Sequence, residues 1–127
     1  MRPRLIPLVL FAVLLLTGCG GRPTLVPVTG AVTFHGKPLT AGSIWFHPAE
    51  GSSYQGEKPS CLLGLDGSFT MRTYPHGNGV PPGTYKVTLA PELANRISRP
   101  QYADPAKTPW SVTVPPAGLS GQAFEVQ

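Results

Sequence analysis

The chain has 127 residues, ten lysines and arginines against six acidic residues, and a formal net charge of +4. That length fits one small domain with a modest core, and its cations form no run of the kind that binds nucleic acid. Fifteen glycines and sixteen prolines are scattered through it, which excludes long uninterrupted helices.

The N-terminus reads as an export signal. Arg2 and Arg4 are followed by an apolar run from Leu5 to Leu16, broken only by Pro7. A basic start, an apolar run and small residues before a cut form the layout of a secretory signal. The run is too short for a spanning helix, which needs about 20 apolar residues. It ends at Leu16-Thr17-Gly18-Cys19, which resembles the lipobox of bacterial lipoproteins. The resemblance implies a signal peptide over residues 1–18, cleavage after Gly18, and a diacylglyceryl thioether on Cys19, usually with a further fatty acyl chain on its amino group. One chain holds weakly at a bilayer, whereas several together anchor stably. An ordinary secretory signal that happens to hold a cysteine near its cut is the competing reading.

On this division residues 19–24 are the lipidated cysteine and a flexible tether through Gly20 and Gly21, and residues 25–127 are the folded domain. Losing Arg2 and Arg4 leaves eight basic and six acidic residues, close to neutral. With Cys19 carrying lipid, Cys61 has no intrachain partner. It reads as a small buried strand residue rather than a reactive thiol.

Period-two alternation recurs through the rest. Residues 26–34, "VPVTGAVTF", place Val26, Val28, Gly30, Val32 and Phe34 on one face. "HGKPLTAG" turns the chain, and "SIWFHP" sends Ile44 and Phe46 inward with Ser43, Trp45 and His47 outward. Residues 49–59 form a polar loop. "SCLLGLDGSFTMRTY" reads as a hairpin about Asp66-Gly67, with Phe69, Met71 and Thr73 opposite Thr70, Arg72 and Tyr74. Pro82-Gly83 fits the centre of a type II turn, after which Tyr85, Val87 and Leu89 face inward. Residues 91–109 hold four prolines and read as a long connection. "WSVTV" and "AFEVQ" close the set. About seven short strands predict an all-β fold, a small antiparallel β-sandwich of Greek-key type.

Four pieces in order, "VPVTGAVTFHGKPLTAGSIWFHP", "GLDGSFTM", "VPPGTYKVTL" and "YADPAKTPWSVTV", resemble the small transthyretin-like (carboxypeptidase regulatory-like) lipoproteins of planctomycete-type bacteria. The shared features are the opening from Gly30 to Leu39, the turn from Asp66 to Phe69 and the strand from Pro81 to Val87. Leu65 departs from the pattern, in which a second acidic or polar residue more often precedes the Asp-Gly, so a cation site at this turn is not implied. The resemblance implies a prealbumin-like sandwich without catalytic activity, exported and held on the cell envelope.

The residues themselves suggest little chemistry. There is no G-x-S-x-G elbow; "AGLSG" at residues 117–121 lacks the motif. His35, His47 and His76, with Asp66 or Glu50, show no metal-ligand spacing, and Cys61 with Met71 does not make a site. The C-terminal "AFEVQ" has nothing of the motif that marks the hydroxyisourate hydrolases on this fold. The expectation is therefore no catalytic residue, no metal and no cofactor. Trp45, His47 and Tyr74 are the candidate ligand contacts, since they fall on faces opposite the core. Burial of that face under the loop 91–109 is the alternative. The partners expected are the membrane, through the lipid on Cys19, and an envelope protein or polysaccharide; nothing marks an oligomer interface.

Overall fold

The computed structural model describes residues 22–127. The expected signal peptide, the cut after Gly18 and the lipid on Cys19 lie outside the described residues. The strands are β1 (Val28–Phe34), β2 (Lys37–Pro38), β3 (Ser43–Pro48), β4 (Ser60–Leu62), β5 (Ser68–Thr70), β6 (Arg72–Thr73), β7 (Gly77–Asn78), β8 (Gly83–Leu89), β9 (Ser111–Val114) and β10 (Leu119–Val126). Helix α1 (Pro91–Arg96) and a 3-10 turn (Pro100–Ala103) lie between β8 and β9. One sheet holds β10, β1 and β2, with β5 also paired to β1; the other runs β7-β6-β4-β3-β8-β9. Among the described residues no helix is long and apolar enough to cross a membrane.

This is the all-β sandwich that the alternation predicts. Inward positions of both sheets supply the core: Val28 and Val32, Ile44 and Phe46, Phe69 and Met71, Tyr85, Val87 and Leu89, Val112 and Val114, Phe124 and Val126 are all buried. Successive side chains of a strand point to opposite faces, so the residues between them are left to the outer surfaces. Thr73 is the polar member of the inward set; its hydroxyl donates to the Gly79 carbonyl at 2.8 Å. Burial therefore leaves it satisfied.

The expected hairpin about Asp66-Gly67 is present at its two ends and open in its middle. The Gly64 N–H donates to the Ser68 carbonyl and Ser60 pairs with Arg72. Gly67 takes φ +79°, and the Asp66 carboxylate accepts the Ser68 N–H at 3.1 Å. Such a loop needs a residue free to adopt positive φ, which glycine provides. Between these ends, however, Ser68, Phe69 and Thr70 pair with Ala31, Gly30 and Thr29 of β1 in the other sheet. The outgoing strand starts in one sheet and, after Met71, finishes in the other.

Three further expectations are corrected. The C-terminal strand is longer than "AFEVQ" and runs parallel to β1, from Val28 opposite Leu119 to Phe34 opposite Val126. Strands from opposite ends of the chain have the long connection that parallel pairing requires. Gly83 does not close a type II turn but opens β8 opposite Val114. The connection 91–109 is not structureless: Pro91, its φ preset, starts α1, which buries Leu93 and Ala94. Beyond it Tyr102 is buried edge-on against Trp110, with ring centroids 4.8 Å apart. The Tyr102 hydroxyl accepts the Gln127 N–H, and the Trp110 indole N–H donates to the Glu125 carbonyl. The loop thus closes the C-terminal end of β10.

Candidate functional site

Trp45 and Tyr74 meet in one cleft. Directly paired residues of antiparallel strands share a face, and the register sets a single row across five strands of the larger sheet. Trp45 is opposite Thr88 of β8 on one side and Ser60 of β4 on the other. Ser60 is opposite Arg72 of β6, and Arg72 opposite Asn78 of β7. Because Ile44 and Phe46 point into the core, this row points outward. Tyr74 follows β6 directly and projects from the same region, 80% exposed, while Trp45 is 37% exposed.

The two aromatic rings, Ser60 and loop residues 55–58 enclose an open cleft of about 590 Å³. The loop is held by its own hydrogen bonds. The Tyr54 hydroxyl donates to the Glu57 carbonyl at 2.7 Å, and the Gln55 amide donates to the carbonyls of Ala49 and Ser52. An adjoining hollow of about 650 Å³ shares Ser60 and Tyr74 and continues past Arg72 into the opened hairpin. Polar walls beside two exposed rings suit a ligand with both an apolar face and hydroxyl groups.

His47, the third residue expected at the site, is not among those lining this cleft. It lies one row along β3, opposite Lys86, and its Nε2 is 2.8 Å from the buried Thr88 hydroxyl. Burial, with the positive charge of Lys58 second, pushes its pKa below the usual 6.5. The neutral ring is therefore favoured in the folded protein. A group of this kind contributes stability that is present above about pH 6.5 and is lost as pH falls through the lower folded value. Melting temperature is expected to decline as pH is lowered from neutral to about 5, and His47→Gln to flatten that part of the profile. Equal slopes in the two proteins would place the acid sensitivity elsewhere.

The remaining chemistry-bearing residues are dispersed. His35 sits in the turn after β1, His76 in the turn before β7, and His47 on β3. Among the described residues no three His, Cys, Asp or Glu side chains come together as a metal site. Cys61 lies half-buried in the opened hairpin with its Sγ 3.7 Å from Met71 Sδ. Burial raises its thiol pKa, with the Thr70 backbone hydrogen bond and the Arg72 charge acting in the opposite direction. A thiol held protonated is a poor nucleophile.

Lys58, Ser60 and Arg72 belong to the site and were not expected there. Alternation in the segment after Gly67 places Arg72 outward, but only the pairing of β6 with β4 sets it beside Trp45. No family model, characterised protein or solved structure matches this chain.

Proposed function

We propose that the protein is an exported, lipid-anchored module of the cell envelope, of the transthyretin-like lipoprotein type, whose role is binding rather than catalysis. Carbohydrate is the ligand class proposed for the outer face of its larger sheet. The observation that carries this reading is the meeting of exposed Trp45 and Tyr74 in one polar-walled cleft. Planar rings bury the apolar faces of sugar rings at low entropic cost, and Gln55, Glu57, Lys58 and Ser60 offer partners to hydroxyls. The anchor rests on the signal layout ahead of Leu16-Thr17-Gly18-Cys19, and the family type on the four ordered motifs, the first of which contains Trp45.

Two measurements test the two halves. Intact mass of the native protein is expected to show loss of residues 1–18 with addition of acyl chains, and Cys19→Ser is expected to move the protein from the membrane to the soluble fraction. A soluble, unacylated native protein would remove the anchor from the proposal. For the cleft, titration with oligosaccharides is expected to change the fluorescence of Trp45. Trp45→Ala is expected to weaken binding at least about tenfold, the effect of losing one stacked ring. Unchanged affinity in Trp45→Ala would put the ligand elsewhere.

A further inference from the structure

Three of the four arginines between residues 22 and 127 can be compared by what their guanidinium groups do. Arg96 donates to the Thr40 and Ala41 carbonyls at 2.8 and 3.2 Å, tying α1 to the loop before β3. Arg99 donates to the Gln127 carbonyl at 2.9 Å and lies 5.3 Å from the centre of the Phe34 ring. Both are spent on holding the fold together. Arg72 is exposed, and among the described residues its guanidinium takes part in no hydrogen bond.

Its position gives it a different use. Arg72 and Trp45 stand in the same row of the outer face with only Ser60 between them. Two strand spacings separate them, about 10 Å, which is the reach of a disaccharide. Ser60, the residue between them in the row, is small and polar, and the exposed Tyr74 borders the hollows on both sides of it. Lys58 lines the same cleft as Trp45, and Lys86 lies in the next row opposite His47. The carboxylate lining the cleft is that of Glu57. Arg72, Lys58 and Lys86 therefore lie around the aromatic pair against the Glu57 carboxylate.

We infer that the ligand of this face is an acidic polysaccharide, with a pyranose ring on Trp45 and the carboxylate of a neighbouring uronate unit held by Arg72. This deepens the carbohydrate reading above and rests on it. The guanidinium presents paired N–H donors in a fixed fork that matches a carboxylate, forming the stronger, charge-assisted kind of hydrogen bond. Lys58, a single flexible charge, adds attraction without fixed geometry. The exposed site makes the charged part of the affinity sensitive to salt.

The test titrates the purified full-length protein with an oligogalacturonate, with a maltooligosaccharide of equal length, and with phosphatidylglycerol vesicles. The oligogalacturonate is expected to bind about tenfold or more tightly than its neutral counterpart at low salt, the margin shrinking as salt rises. Arg72→Gln is expected to erase that margin, bringing the oligogalacturonate down to the affinity of the maltooligosaccharide. Lys58→Gln is expected to narrow it without erasing it. Both side chains are exposed, so neither change threatens the fold. Equal binding of both sugars, unaffected by Arg72→Gln, would overturn the acidic specificity and leave the carbohydrate reading standing. Failure of both sugars would overturn the carbohydrate reading itself. Failure of both sugars, together with tighter binding to the phosphatidylglycerol vesicles than to phosphatidylcholine vesicles that Arg72→Gln erases, would overturn both in favour of an anionic lipid surface, since the anchor on Cys19 inserts into either vesicle alike.

Discussion

Replacing Phe46 with alanine is expected to cost about 3–5 kcal/mol, the range for deleting a buried phenylalanine. Phe46 is fully buried on the inner face of β3, its ring 5.5 Å from that of Tyr85. The surrounding side chains come from both sheets and cannot collapse into the space without moving a strand, so a cavity remains. A domain of about this size has only some 5–15 kcal/mol of stability in all. The loss is therefore expected to remove a large share of it, read as a lower midpoint in urea at unchanged slope. The proposed binding should fall with it, because Trp45 precedes Phe46 on the same strand and owes its outward aim to the inward one of Phe46. A shift below about 1 kcal/mol would mean that the core repacks around the gap, contrary to the close packing seen.

The second large effect is expected from the smallest change, Gly30→Ala. Gly30 sits where β1 is flanked by β10 on one side and β5 on the other. A methyl group added there would lie 1.9 Å from the Gln122 carbonyl oxygen and 2.6 Å from the tip of the Phe69 ring. The ring can tilt, but the carbonyl is backbone of the parallel ladder, directly after its register slip. Relief requires β10 to move away from β1. Overpacking of this kind costs about 1–3 kcal/mol, and more where backbone must shift. The expectation is a loss near the upper end, with amides of β10 exchanging faster than those of β8. A variant as stable as the wild type, with protection in β10 intact, would show that the ladder tolerates a side chain at this position.

Much of the architecture was legible because burial imposes period two. Phe69, Met71 and Thr73 face inward and Thr70, Arg72 and Tyr74 outward, as their alternation predicts. The same signal placed Trp45 on an outer face. What escaped was long-range pairing, for which a single strand carries no mark. β10 was hidden by its own irregularity: its register against β1 slips by one residue between Leu119 and Gln122, and Gly121 in that stretch has φ +68°. A bulge of this sort breaks alternation over the residues where a reader looks for it. Helix α1 escaped because six residues are too few for a helical period to declare itself. The place of Arg72 at the site escaped for the first reason again, since it joins the row of Trp45 only through β4.

The strand that leaves the Asp66-Gly67 turn serves two sheets in succession, and this bears on how the domain comes apart. Sandwiches whose layers are joined only by loops can lose one layer while the other persists. Here Ser68–Thr70 hold β1, and Arg72–Thr73 hold β4 and β7. Peeling either layer pulls on a backbone that the other still grips, so each layer is a clamp on its neighbour. The face proposed to bind ligand includes Arg72 of this shared segment, so a ligand that steadied Arg72 would steady both layers at once.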